Sequence, residues 1–313
     1  MRITVFTPTY NRAYCLKRLY ESLKAQTFHD FEWVIVDDGS TDNTEEVVNG
    51  FISDKPFFEI KYCKTENGGK HRAINRGMDT VAGELFFIMD SDDWLREDAL
   101  EWLDKVENSI PTEEKTHFCG VNGLRCHTDG SIIGHTFDGN GFKDGTYFER
   151  DKYGIRGDKA EAYYTDVMKK YPFPEFDGEK FMTEGIVWNE FAHAGLKIRY
   201  FNEEIYFCEY LEDGLTHGGW NLYACNPRQW GSWLSQNYKY GKHNTYYSML
   251  HIYEFYLYEK KNYSLREIAG FLQLPVGFLV CSICVHSAMD LLRFVLHRGN
   301  TVRRSVKKEK HEG

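Results

Sequence analysis

Three carboxylates crowd the end of one apolar run, because Asp90, Asp92 and Asp93 directly follow the buried-strand pattern in "FFIMDSDDWL". Like charges at the edge of an apolar layer repel one another and lose hydration, so they are costly unless a positive group lies between them. A divalent cation meets that need, since carboxylate oxygens are the hard ligands that Mg²⁺ and Mn²⁺ prefer. The segment therefore predicts a divalent metal site.

A second acidic pair, Asp37 and Asp38, follows the apolar run "FEWVIV". A carboxylate at the end of a buried strand can accept a hydrogen bond from a base N–H group or a ribose hydroxyl. The alternative is a structural turn with a helix cap, for which "GSTDNT" is well suited. A turn needs only one of the two acids, so the pair favours nucleotide binding.

The segment "NGGKHRAIN", residues 67 to 75, places glycines before a helix whose first turn is basic. Helix amides and cations in such an arrangement can hold a phosphate. We take Asn67, Gly69, Lys70 and Arg72 as candidates for this role. A solvated basic helix face is an equal alternative.

The elements that must position these groups alternate through the first hundred residues. Apolar runs predict strands at "ITVFT", "FEWVIV", "FFEIKYC" and "ELFFIM", and helix-period segments follow them at residues 12 to 26, 43 to 53, 70 to 81 and 96 to 107. This order predicts a parallel sheet covered on both faces, with ligands bound beyond the carboxyl ends of the strands.

The sequence pattern changes at about residue 116 and again at about residue 222. Residues 116 to 210 read as mixed, with strands expected at "THFCGVNGLRC", "SIIGHTF" and "KIRYFNEEIYFCEY" and a helix from about 180 to 195. From about residue 222 the pattern is helical and rich in aromatic residues. We predict a catalytic domain over 1–220, divided into a nucleotide-binding half (1–115) and an acceptor-binding half (116–220), and a helical region over 221–313.

Composition and charge narrow the class of protein. The chain has 313 residues, 42% of them hydrophobic and 27% charged, and a net charge of -9, which is typical of a globular protein; we expect no nucleic-acid partner. Eight scattered cysteines indicate a reducing compartment rather than a disulfide framework, and Cys281 and Cys284 are expected to be buried in a helix. The first residues lack a signal-peptide core, so we expect a cytoplasmic location.

In order along the chain, "TPTYNRAYCLKRLYESLKAQTF" at 7 to 28, "VIVDDGSTDNT" at 34 to 44 and "DSDDWL" at 90 to 95 resemble the signature of glycosyltransferase family 2. The resemblance runs from Met1 to about Leu215, and the ordered set is specific although each motif alone is weak. It implies a GT-A fold, which is an α/β unit with a mixed, mainly parallel sheet and helices on both faces, here followed by a helical C-terminal region.

The resemblance also implies roles for single residues. The base and ribose of the nucleotide would be held by the first loop and the acidic pair, and the D-x-D acids would hold the ribose and a Mn²⁺ or Mg²⁺ ion: Thr7, Pro8, Tyr10, Arg12, Asp37, Asp38, Asp90, Ser91 and Asp92. Asp93 is open between metal ligand and cap of the following helix. Ile74 stands where the family commonly has an arginine, so phosphate binding would fall to Lys70 or Arg72.

Inverting sugar transfer needs a carboxylate that takes the proton of the acceptor hydroxyl. In the family an E-D pair at a helix start supplies it, and "FMTEGIVWNEFAHAGLKI" fits that spacing with Glu184, although the pair has become Thr183-Glu184. Glu179 is the alternative base, and an acid that merely favours the helix dipole is the structural reading of Glu184. His217, in "LTHGGW", is a candidate additional metal ligand, with a structural histidine as the alternative.

The C-terminal region carries a charge-free segment, residues 268 to 289, followed by a strongly basic tail from Arg293 to Lys310. Its polar residues argue against a simple membrane span. An in-plane helix at an anionic membrane surface fits, and a core helix fits equally well. Peripheral contact through residues 268–310 would place the enzyme at the inner face of the cytoplasmic membrane.

Together these features predict a metal-dependent, inverting glycosyltransferase of the hexosyltransferase type. It would move a sugar from a nucleotide-diphosphate sugar, with a UDP-sugar expected first, to a glycan or lipid-linked glycan acceptor in cell-surface polysaccharide biosynthesis. The alternative is a non-catalytic nucleotide-sugar or glycan-binding subunit of a membrane-associated assembly.

Overall fold

A computed structural model describes residues 1–209 and 219–309 of the chain, and it divides into two compact units, Met1–Leu222 and Tyr223–Gly313. The first unit is built on a sheet of nine strands. The second consists of helices.

Parallel strands and intervening helices form the first half of the sheet. The elements are β1 (Ile3–Thr9), α1 (Leu16–Lys24), β2 (Phe31–Asp37), α2 (Thr44–Ser53), β3 (Glu59–Lys64), α3 (Lys70–Gly77), β4 (Leu85–Ile88), β5 (Trp94–Leu95) and α4 (Ala99–Glu107). The order β3-β2-β1-β4 is parallel throughout. β1 and β2 are buried along their whole length, as expected for strands covered by helices on both faces.

The sheet continues with strands of mixed direction. The elements are β6 (Phe118–His127), β7 (Phe142–Gly145), β8 (Lys159–Tyr164), α5 (Thr165–Lys170), α6 (Gly185–His193) and β9 (Lys197–Cys208), with 3₁₀ turns at Lys115–His117 and Tyr147–Tyr153. β8 lies antiparallel between β4 and β6, and β6 pairs in parallel with β9. The expected α/β sheet, mixed and mainly parallel in its first half, is confirmed.

The structure differs from the sequence interpretation at three places. Residues 131 to 137 form only isolated bridges, Cys126 with Ile132 and His135 with Arg156, instead of a strand. The strand β8 was not predicted. Asp93 does not cap the following helix, because Trp94–Leu95 first forms the short strand β5 and Asp98 is the N-cap residue of α4.

One apolar core joins both halves of the sheet. It packs α1 and α4 against the same sheet face and includes Ile3, Val5, Leu16, Leu19, Trp33, Leu85, Phe87, Leu100, Leu103, Val121, Ala162 and Ile205. Removal of these apolar side chains from water is the main contribution to the stability of the first unit. The core therefore fixes the strand ends at which the polar loops begin.

Helix α7 (Gly219–Ala224) crosses the boundary between the units, and the second unit continues with α8 (Pro227–Lys239), α9 (Thr245–Glu259), α10 (Leu265–Phe271) and α11 (Val276–Glu309). Its core includes Trp230, Leu234, Ile252, Phe255, Ile268, Leu272 and Leu279. Cys281 and Cys284 are free and exposed, so their expected burial is wrong. No single described helix meets the length and hydropathy criteria of a membrane span; α10 with the first part of α11 meets them only as a pair bent by 104°.

Candidate active site

Four loops begin at one edge of the sheet, as the parallel order requires. β1 and β2 end in register, with Thr9 opposite Asp37, and β2 and β3 end with Asp37 opposite Lys64. Asp90 follows two residues after the end of β4. The acidic pair, the glycine segment and the D-x-D acids therefore lie at the same end of the sheet.

Lys70, the first residue of α3, is the centre of this site. Its Nζ atom lies 2.6 Å from Oδ1 of Asp90 and 2.8 Å from Oε1 of Glu184. Burial opposes the charged ammonium, but the carboxylates of Asp90 and Glu184 outweigh that effect and raise the pKa of Lys70 above its ordinary value. One ammonium thus joins the acid that follows β4 to the acid that begins α6.

Asp90 is held from two sides. Its second oxygen lies 3.1 Å from a guanidinium nitrogen of Arg125, a residue of β6 whose guanidinium also stacks on the ring of Tyr206. Burial alone would raise the pKa of Asp90, but Lys70 and Arg125 hold it well below its usual range. Both oxygens of this carboxylate are therefore paired with cations of the protein.

The carboxylates of Asp92 and Asp93 are less well neutralised by nearby cations than the carboxylate of Asp90. Burial and then the charge of Asp90 raise the pKa of Asp92, and the same two causes raise that of Asp93 to about 7. Within residues 1–209 and 219–309, no group of three or more His, Cys, Asp or Glu side chains is arranged to hold a metal ion. The acids are brought together as the sequence predicted, and their role as metal ligands stays a prediction.

The acids after β2 both contact the protein itself. Asp37 accepts hydrogen bonds from the backbone N–H of Ser40 at 2.7 Å and from the hydroxyl of Tyr62 at 2.7 Å. Asp38 accepts from the backbone N–H groups of Gly68, at 2.8 Å, and Gly69, at 2.7 Å. In this structure, therefore, Asp37 closes the turn and Asp38 anchors the glycine segment; their contact with a nucleotide stays a prediction.

The glycine segment joins the two halves of the first unit. Gly69 has a φ of +96°, and a Cβ atom at this position would lie 1.8 Å from the carbonyl oxygen of Lys180. Arg72 donates hydrogen bonds to the carbonyls of Phe176, at 2.7 Å, and Glu179, at 2.6 Å. Gly69 and Arg72 therefore position the loop before α6. If they also bind a phosphate, as the sequence predicts, they do so while in contact with that loop.

The first loop is ordered by a residue that the sequence did not single out. Oδ1 of Asn11 accepts from the backbone N–H groups of Thr41, at 2.8 Å, and Asp42, at 3.3 Å. The predicted nucleotide contacts around it differ in accessibility. Thr7 and Pro8 are buried, Ser91 is buried, Tyr10 is exposed and Arg12 donates to the hydroxyl of Tyr14.

The two candidate bases have different surroundings. Glu184 is the residue before α6 and its side chain is 34% exposed, so a substrate hydroxyl can approach it. Glu179 is buried. Accessibility therefore favours Glu184 as the base, and the choice itself stays a prediction; His217 lies outside the described residues.

Two further groups at the site were missed by sequence reasoning. Arg125 pairs with Asp90, and the only signal for it was a charged residue within the strand pattern "CGVNGLRC". Glu161, on the unpredicted strand β8, has an oxygen that is buried without a hydrogen-bond partner in the described chain. Burial raises the pKa of Glu161, and Arg150 and Arg125 oppose this shift.

We expect buried His71 to make stability depend on pH. Burial and the neighbouring Arg72 lower the pKa of His71 from 6.5 to about 4, so as the pH falls the unfolded state binds a proton before the folded state does. The free energy of unfolding should therefore decrease by about 2 kcal/mol, from this group alone, between pH 7 and pH 5. Urea unfolding of wild type and His71→Gln at both pH values measures it.

The difference in the free energy of unfolding between wild type and His71→Gln should change by about 2 kcal/mol between pH 7 and pH 5. The exposed His29→Gln serves as the matched control and should follow the wild type. A wild-type to His71→Gln difference that stays constant from pH 7 to pH 5 would contradict the buried neutral imidazole.

Comparison with known proteins shows what the first unit is similar to. Residues 4–130 match the model of the family "Glycosyl transferase family 2". Chondroitin synthase of Pasteurella multocida is 33% identical over 137 residues, which are 44% of this chain and 14% of that protein. GalNAc(5)-diNAcBac-PP-undecaprenol beta-1,3-glucosyltransferase of Campylobacter jejuni is 34% identical over 111 residues, 34% of this chain and 35% of that protein.

A solved structure shows the same fold over a larger part of the chain. The crystal structure of S. aureus TarS 1-349 in complex with UDP-GlcNAc superposes with a TM-score of 0.59, at 17% sequence identity, and covers 90% of this chain and 88% of that one. The chain spans about a seventh of the chondroitin synthase and about a third of the Campylobacter enzyme. The resemblance seen in the sequence is confirmed for the fold, and residues 4–130 match the family model.

Proposed function

We propose that this chain, whose residues 4–130 match the model of glycosyltransferase family 2 and which has a GT-A fold, is an inverting transferase that moves a sugar from a nucleotide-diphosphate sugar to a hydroxyl of a glycan or lipid-linked glycan. The observation that carries the proposal is the ion-pair chain from Asp90 through Lys70 to Glu184. It brings the acid of the predicted donor side and the predicted base onto one ammonium.

Glu184 and Asp90 have different roles in the proposed reaction. Glu184 accepts the proton of the acceptor hydroxyl as that oxygen attacks the anomeric carbon, and the bond from that carbon to the nucleotide diphosphate breaks. The departing diphosphate is anionic, and Lys70 with Arg125 supplies fixed positive charge near it. Asp90 holds both cations in place.

A divalent ion fits the donor set at Asp92. Burial and the charge of Asp90 raise the pKa of Asp92, although Arg12 and Lys70 oppose this shift, so a further positive charge beside Asp92 would stabilise its carboxylate. Asp92 would hold Mn²⁺ or Mg²⁺ together with the diphosphate oxygens, which suits ions that keep few protein ligands. When bound, the ion would neutralise charge on the leaving diphosphate.

The nature of the substrates is inferred from relatives. TarS was crystallised with UDP-GlcNAc, which makes a UDP-sugar the first donor to test. The Campylobacter relative is named for an undecaprenol-linked acceptor and the Pasteurella relative for a polysaccharide. Both support a carbohydrate acceptor in cell-surface polysaccharide biosynthesis.

The proposal is tested by binding and turnover in the same preparation. Thermal unfolding is measured with UDP, GDP, CMP and dTDP, each with Mn²⁺ and with a chelator, because a ligand of the native state raises apparent stability. Release of nucleotide from UDP-GlcNAc and UDP-glucose then reports transfer or hydrolysis. Stabilisation without turnover would instead support the non-catalytic binding subunit, and no stabilisation by any nucleotide would overturn the proposal.

We expect Asp92→Asn to separate nucleotide binding from metal binding. At a hundredfold excess over its Kd, UDP with Mn²⁺ should stabilise the wild type by about 2.7 kcal/mol, and the variant should lose the part of this gain that the chelator removes. The matched change Asp98→Asn, at the start of α4, should retain the full gain. Equal Mn²⁺ dependence in wild type and Asp92→Asn would remove Asp92 as a ligand.

A further inference from the structure

Helix α11 exposes an apolar face. Exposed apolar or thiol residues lie at helical spacing along its first five turns, together with the exposed Ser287: Val276, Val280, Cys284, Ala288, Leu291 and Leu292. Leu291 is 65% and Leu292 is 59% exposed. A soluble helix normally turns such a face toward a core.

The side of α11 that packs within the unit is mixed: Leu279 is buried in the core, and Phe278 and Ile283 are partly buried against it. Ser282 and His286 are buried, and the ring of His286 packs against the rings of Tyr246 and Tyr253 from α9. The core of the unit therefore takes the side of α11 that carries Leu279, Ser282 and His286. The exposed apolar residues lie on the other side of the helix.

Aromatic residues lie close to this helix. Tyr246 and Tyr247, at the start of α9, are both exposed, and the ring of Tyr246 is 5.3 Å from that of His286. Exposed tyrosines are typical of the zone between lipid headgroups and water, because the ring is apolar and the hydroxyl is polar.

Charge changes abruptly after the apolar face. From residue 268 to residue 289 the sequence has no Asp, Glu, Lys or Arg, whereas residues 293 to 310 contain seven lysines and arginines and one acid, Glu309. The whole chain has a net charge of -9, so the charge of residues 293 to 310 is opposite in sign to that of the protein as a whole. An apolar surface followed by concentrated positive charge complements an anionic bilayer.

We propose that the first turns of α11 lie in the headgroup region of an anionic lipid bilayer, with the basic segment 293–310 on the lipid phosphates. A second copy of the chain would cover the apolar residues without using the basic segment, so dimer formation is measured as an outcome of the test. This inference rests on the second unit alone. Its outcome is therefore independent of whether the first unit transfers sugar.

The experiment is flotation of the full chain with vesicles of phosphatidylcholine alone and with an equal part of phosphatidylglycerol. We expect binding to the mixed vesicles, decreasing as salt is added, and little binding to phosphatidylcholine. The double variant Leu291→Ser/Leu292→Ser should bind at least about tenfold more weakly. Phe57→Ser, which changes an exposed apolar residue of the first unit, is the matched control and should bind like wild type.

A second variant addresses the charge separately, and it leaves the apolar face intact. Arg303→Glu/Arg304→Glu/Lys307→Glu/Lys308→Glu should lose the preference for phosphatidylglycerol. Circular dichroism confirms that each variant is folded. Absence of binding by wild type, or binding that neither variant weakens, overturns the proposal; so does a wild-type dimer that the serine variant converts to monomer without any effect on vesicles.

Discussion

Glu184→Gln is expected to reduce kcat for sugar transfer by about three orders of magnitude, because general-base catalysis by a positioned carboxylate contributes about 10²- to 10⁴-fold. The amide keeps the size of the side chain and cannot take the proton. Nucleotide-induced stabilisation should persist, since the predicted nucleotide contacts lie on other loops. Initial rates with saturating donor, and thermal unfolding with and without UDP, measure both parts.

Two glutamates serve as comparisons in this experiment. Glu179→Gln changes the alternative base, and Glu113→Gln changes an exposed residue in the turn before β6. We expect near wild-type kcat from both. Full activity of Glu184→Gln combined with loss in Glu179→Gln would transfer the base assignment to Glu179.

Asp90→Asn is expected to cost stability as well as activity. The carboxylate pairs with Lys70 at 2.6 Å and with Arg125 at 3.1 Å, and loss of its charge leaves two cations close together. Removal of one partner from a buried pair costs about 3 to 5 kcal/mol. Because Asp90 is partly exposed and Lys70 keeps Glu184, we expect a loss of about 2 kcal/mol.

Activity should fall at least about 100-fold in the same variant, since displaced cations no longer face the leaving diphosphate. The matched change is Asp98→Asn, which removes the pairing of Asp98 with Arg96 at the protein surface. That control should lose less than about 1 kcal/mol. Urea unfolding and initial rates report the two effects, and equal stability losses in the two variants would contradict a special role for the Asp90 pairs.

Elements with a local signal could be predicted from the sequence. β1 and β2 are short apolar runs followed by polar turns, and α6 carries its own periodic pattern, so each was located within a few residues. β8 reads "KAEAYY", in which Lys159 and Glu161 hide the strand. It forms because β4 and β6 lie on either side of it, and such long-range pairing leaves no local mark.

The residues of the site also divide into those with a local sequence signal and those without one. The acids at 37, 38, 90, 92 and 93 were recognised because they end buried strands. The link from Lys70 to Glu184 crosses more than a hundred residues of sequence, and Arg125 reaches Asp90 from another strand. Ion pairs of this kind depend on how the sheet is assembled, so composition and spacing could not reveal them.

Gly69 limits how this protein can be recombined with its relatives. The residue belongs to the nucleotide-binding half by sequence, yet its missing Cβ makes room for the backbone of Lys180 in the other half. Arg72 binds carbonyls of that same loop. A chimera that exchanged residues 116–220 for those of a relative would therefore have to import the segment around 67–72 with them.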